Sequence, residues 1–155
     1  AQQLELQDLE PLDPSDNGDG GIGRVGNLPQ PLSLADFAAK CAQVFPATAA
    51  GLRVAGDPAQ QISRVALCGG AGDSLLDNSL VKTADVYVTS DLRHHAAQEF
   101  LEQGRLRNSP ALIDVAHWAA ESLWLETAAA QLREELPEIE FVVSKINTDP
   151  WNFTV

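Results

Sequence analysis

Residues 65–76 read VALCGGAGDSLL: an apolar run that passes into a glycine-rich corner and then into a new segment that Asp73 or Ser74 can cap. A short β-type run, glycines and a helix start make a strand–turn–helix unit. The pattern recurs downstream. Residues 86–89, 111–115 and 141–143 are further short apolar runs, and stretches with helical spacing separate them, at about 73–81, 92–103 and 117–136. The second helix is expected to stop at Gly104 and the third at Pro137;. Strand and helix in alternation imply right-handed crossovers, and so an α/β fold with a mainly parallel sheet and flanking helices.

Upstream, Ser33 can cap a helix with Asp36 at its third position, and Leu34, Phe37, Ala38, Cys41 and Val44 follow at helical spacing until Pro46;. Residues 52–55 read as a short strand closed by the turn Gly56-Asp57-Pro58;. Residues 1–31, rich in Asp, Pro and Gly, are expected to form an extended, partly mobile leader or linker ahead of an α/β domain over 32–155;.

With 22 acidic against 10 basic residues the net charge is −12, which argues against a nucleic-acid partner held by phosphate contacts;. Half of that excess lies in the first twenty residues, on Glu5, Asp8, Glu10, Asp13, Asp16 and Asp19, with no Lys or Arg among them. No apolar run approaches the roughly 20 residues that span a bilayer, so no membrane is expected. Cys41 and Cys68 read as reduced thiols of a cytoplasmic protein;.

In open α/β sheets, ligands bind beyond the carboxyl ends of the strands, which here selects residues 69–74, 89–95 and 117–121;. The glycines of the first, Gly69, Gly70 and Gly72, have neither the lysine of a P-loop nor dinucleotide-binding spacing; they make a tight turn or contact an anion;. Thr89-Ser90-Asp91 can cap the next helix or reach a metal or substrate;. His117 and Glu121 are spaced i, i+4, so one helix face presents an imidazole and a carboxylate to a common metal ion, or simply to each other and water;. His95 and Glu99 share that spacing, and spacing alone does not choose between the pairs. Trp118 and Trp124 read as packing residues;.

Four segments taken in order, VALCGGAGDSLL, ADVYVTSDLRHHAAQEFLEQG, IDVAHWAAES and VSKINTDPW, carry a resemblance. Together they resemble the C-terminal half of the GTP cyclohydrolase I type 2-like proteins, also described as dinuclear-metal-centre or NGG-interacting-factor proteins. The upstream GIGRVGNLPQPLSLADFA resembles the segment joining that family's two halves, so the likeness covers about residues 20–152. It implies half of a two-part α/β protein, in which two divalent metal ions lie between the halves and the full-length chains form a homo-oligomeric ring.

The resemblance assigns metal ligation to His117 and Glu121 and sets Asp91, His95, Thr89, Gly70 and Gly72 near the cleft. The family's remaining ligands, a His-His pair and an Asp, lie in its N-terminal half, and no histidine precedes Gly20 here. Two departures bear on the site: Thr89-Ser90-Asp91 replaces a usual Thr-Gly-Asp, and Ala116 replaces the usual Gly before the ligand histidine. The implied activity is hydrolysis of a nucleotide by a metal-dependent enzyme. A phosphoesterase, or a non-enzymatic metal-handling or regulatory partner protein, fits the same ligands. Imidazole with carboxylates admits zinc, iron, manganese or nickel. Read this way, the chain is a fragment, inactive by itself.

Overall fold

The computed structural model describes residues 1–16, 20–105 and 110–155, with the side chain of Arg105 excepted. Asp19 of the acidic leader lies outside the described residues. The strands are β1 (Gln7–Glu10), β2 (Asp13–Pro14), β3 (Gly21–Ile22), β4 (Arg24–Ser33), β5 (Leu52–Ala55), β6 (Gln61–Ala71), β7 (Val86–Ser90) and β8 (Ala111–Val115). The α-helices are α1 (Leu34–Val44), α2 (Ser79–Lys82), α3 (His94–Arg105) and α4 (His117–Glu135).

Six strands form one sheet in the order β1-β4-β6-β7-β8-β5, while β2 and β3 pair separately. Its centre, β6-β7-β8, is parallel, as the strand–helix alternation implies. The outer strands β1, β4 and β5 are added antiparallel. The chain is thus α/β, a mainly parallel central sheet with helices against it. Alternation builds two apolar layers: Val65, Val86, Val88, Ile113 and Val115 pack with Phe37 and Cys41 of α1 and Ala119 of α4. The opposite face carries Ala66, Cys68, Tyr87 and Leu112, covered by Val81 and Phe100;.

The first helix begins as read. Ser33 Oγ accepts from Asp36 N–H at 3.1 Å and donates to Asp36 Oδ2 at 2.6 Å;. Elsewhere three expectations change. Residues 1–31 are not simply an extended leader: β1 and β4 belong to the sheet, and Leu4, Leu6, Leu12, Val25 and Leu28 are buried. Pro29 and Pro31 are tolerated because the β4–β6 ladder is irregular between Asn27 and Leu32, where a missing N–H costs little;. The helix expected over 73–81 is broken into a 3-10 turn, Asp73–Leu75, and α2, whose cap Asn78 accepts from the N–H groups of Leu80 and Val81.

Residues 141–143 form no strand. A β-type run needs a neighbour with free backbone groups, and here the Phe141 carbonyl accepts instead from the Arg133 guanidinium, at 2.6 Å;. The helices otherwise fall close to the expected spans, α3 running through Gly104 to Arg105. Among the described residues, no helix is long and apolar enough to cross a membrane.

Candidate functional site

Where β6 meets α4, the β6–β7 register shifts between Leu67 and Ala71. Gly70 sits in that shift with φ +73°, a left-handed conformation natural to glycine;. It faces the first turn of α4 so closely that a Cβ added there would lie 3.0 Å from Glu121 Oε1 and 3.4 Å from His117 Nε2. The rest of the corner is held by β7: Thr89 Oγ1 donates to the Gly70 carbonyl at 3.1 Å and Tyr87 Oη to that of Gly72 at 2.9 Å. The Gly72 N–H is spent on the Ser90 carbonyl, at 3.3 Å. A Cβ on Gly72 would fall 2.1 Å from Thr89 Oγ1, so this glycine serves close packing. The φ of Gly70 and the close packing at Gly72 are what a tight turn requires.

At the end of β7, Asp91 takes φ +54°, a conformation Asp tolerates better than most residues;. Its Oδ2 lies 2.6 Å from His117 Nδ1, and on the other side of the ring Nε2 lies 2.9 Å from Glu121 Oε1. His117 opens α4, so its imidazole is held between two carboxylates, Asp91 in the loop after β7 and Glu121 one turn along α4. The Asp91 hydrogen bond raises the His117 pKa above the ordinary histidine value, partial burial opposes it, and Glu121 adds to the rise;. All three side chains remain accessible, at 40% for His117, 58% for Asp91 and 57% for Glu121.

A carboxylate on Nδ1 fixes the tautomer and orientation of an imidazole whose Nε2 is a metal donor. Nε2 and Oε1 stand 2.9 Å apart, a hydrogen-bond distance that is also close to the roughly 3 Å between two donors held at right angles about 2.1 Å from one ion;. The pair therefore fits one corner of a metal shell. Among the described residues, no group of three or more His, Cys, Asp or Glu is arranged to hold an ion by itself.

Of the other sequence-derived candidates, His95 is exposed at the start of α3, its ring edge-on to His94 at 5.3 Å between centroids. Thr89 is buried and shapes the Gly70 corner. Ser90 is fully buried, and its hydroxyl has no hydrogen-bond partner among the described residues. Trp118 packs against the core as expected, whereas Trp124 is 61% exposed.

Sequence reasoning missed Asp114. Its Oδ1 accepts from Leu92 N–H at 3.0 Å and its Oδ2 pairs with Arg53, tying the loop after β7 to β8 and β5. A lone carboxylate next to last in an apolar strand was the signal. Also missed was the C-terminal segment, whose Asp149, Trp151 and Phe153 line the hollow beside His117.

Known proteins share this arrangement of chain. A model of the Duf34/NIF3 (NGG1p interacting factor 3) family matches residues 1–150. A Mycobacterium leprae protein named GTP cyclohydrolase 1 type 2 homolog is 49% identical over 126 residues, 81% of this chain and 32% of that protein. A Streptomyces coelicolor protein of the same name is 46% identical over 128 residues, 80% of this chain and 44% of that one. The chain thus spans less than half the length of these curated relatives. The crystal structure of a Bacillus cereus protein related to NIF3 superposes with a TM-score of 0.74 at 28% identity, covering 86% of this chain and 36% of that one. On the family match and these relatives together, the chain belongs to the Duf34/NIF3 family.

Proposed function

We propose that the chain supplies one side of a divalent-metal site in a longer hydrolytic protein acting on a nucleotide. His117 Nε2 and Glu121 are the donors, and Asp91 is the residue that orients the imidazole. The observation that carries this reading is the His117 ring, held at 2.6 and 2.9 Å by two carboxylates opposite a glycine without a side chain. A bound ion would supply an acidified water and neutralise developing negative charge. The chain's own residues hold the imidazole in one tautomer, keep its Nε2 beside a carboxylate, and leave room at Gly70 for close approach. The name carried by the relatives, GTP cyclohydrolase 1 type 2 homolog, supports a nucleotide substrate. The buried free thiols Cys41 and Cys68 support a reducing, cytoplasmic setting;.

Two donors bind a metal weakly, so the 155-residue chain is expected to be inactive alone;. The test is calorimetric titration with zinc and with manganese, beside a GTP ring-opening assay on the same sample. Weak binding lost in His117→Ala, without turnover, is expected. Zinc binding unchanged by that substitution would sink the metal assignment. Tight binding of two ions per chain, or turnover, would show the site to be complete in this chain. A longer relative that binds metal but turns over neither GTP nor phosphoesters would favour a metal-handling role instead.

A further inference from the structure

The last part of the chain returns along α4 as a strap. After Arg133 takes the Phe141 carbonyl, Lys145 Nζ meets Glu126 Oε1 at 2.6 Å, and the strap closes where Thr154 Oγ1 donates to the Ala49 carbonyl at 3.2 Å. Between strap and sheet lies a cavity of about 430 Å³, with Asp91, His117 and Trp118 on one wall and Asp149, Trp151 and Phe153 on the other. That volume lies in the range of small-molecule sites, roughly 300–1,000 Å³.

The lining specifies a ligand chemistry. Trp151 and Phe153 are 68% and 79% exposed, so packing does not explain why these two aromatic side chains face the hollow that Trp118 also lines. Flat apolar faces beside carboxylates suit a flat ring with polar edges. The carboxylates Asp91, Asp114 and Asp149 all line the cavity, where Arg53 is already engaged by Asp114, so the edges they accept from are N–H donors. Asp149 Oδ1 accepts from Trp151 N–H at 3.2 Å, while its Oδ2 is buried and has no hydrogen-bond partner among the described residues.

We propose that this cavity binds an amino-substituted heteroaromatic ring of the purine kind, with Trp151 and Phe153 stacking on it and His117 beside it. The proposal rests on the reading of His117 and Glu121 as metal donors, which gives the ring a reacting neighbour; the binding itself needs no metal.

The experiment is calorimetric titration of the metal-free chain with guanosine 5′-monophosphate and with ribose 5-phosphate, which differ by the ring alone. The monophosphate is expected to bind at least tenfold tighter. Trp151→Ala should weaken it about tenfold, Phe153→Ala should also weaken it, and Trp151→Phe should restore most of the loss. Val142→Ala, elsewhere on the strap and 78% exposed in the native chain, should change nothing. Circular dichroism checks that each variant folds. Equal binding of the two probes, no binding of the monophosphate, or wild-type affinity in both alanine variants overturns the proposal. If zinc binds and the monophosphate does not, only the ring pocket falls. If the monophosphate binds through Trp151 and zinc does not bind, only the metal reading falls.

Discussion

Gly70 and Glu121 stand on different elements, β6 and α4, yet a methyl group on Gly70 would come within 3.0 Å of the Glu121 carboxylate. The contact is coupled to a φ of +73° at Gly70, so an alanine there meets both strain and crowding;. Gly70→Ala is expected to destabilise the fold by about 1 kcal/mol or more, read as a lower urea midpoint at unchanged slope. Weaker zinc binding should accompany it, because the displaced group is Glu121.

The imidazolium of His117 is favoured by Asp91 first and Glu121 second, so its folded pKa lies above the unfolded one. That contribution to stability is fully present below the unfolded value of about 6.5 and is lost as pH rises through the folded one. An NMR titration should place the His117 midpoint above the ordinary histidine range, and Asp91→Asn should bring it down. A midpoint unmoved by Asp91→Asn would deny the hydrogen bond its role.

Asp114 and Arg53 form one pair but carry unequal weight. The Asp114 side chain is 11% exposed and satisfies the Leu92 N–H, whereas that of Arg53 is 68% exposed. Asp114→Ala is expected to cost about 1–3 kcal/mol by leaving that N–H without its acceptor. Arg53→Ala should cost less than about 1 kcal/mol. Chemical denaturation of the two variants gives the comparison, and an equal loss would mean the ion pair dominates.

Burial pushes the Cys41 thiol up to about 12, and Cys68 is raised by the same cause. Thiolate is the reactive form, so neither residue should react with iodoacetamide at neutral pH until the chain opens. Mass spectrometry should find both unmodified in the native state and both alkylated in urea.

The parallel centre was legible because β6, β7 and β8 each carry an apolar run with a helix after it, a local pattern. β4 was not: its apolar positions are interrupted by Gly26, Pro29 and Pro31, and its pairing with β6 joins residues from 28 apart, Ser33 with Gln61, to 43 apart, Arg24 with Leu67;. Residues 141–143 erred the other way, since composition shows a preference for extended backbone but not whether a neighbour waits beside it. At the site, His117 and Glu121 were visible through one helical turn, and Asp91 through its place after a strand. The part played by Asp114, and the approach of Trp151 to His117, depend on segments meeting in space and leave no trace in spacing.

The sheet's edge at β1 bears on how copies of this molecule meet. An edge strand offers unpaired backbone groups to any similar strand that approaches. Here that strand is four residues long, Gln7–Glu10, with register irregular between Gln7 and Glu10 and two carboxylates along it. Asp8 accepts from the Asn27 amide and Glu10 pairs with Arg64, which pins those charges along the rim. A second copy bringing the same rim alongside meets its own charge sign over a broken ladder. Ribbon-like growth through β1 is thereby discouraged.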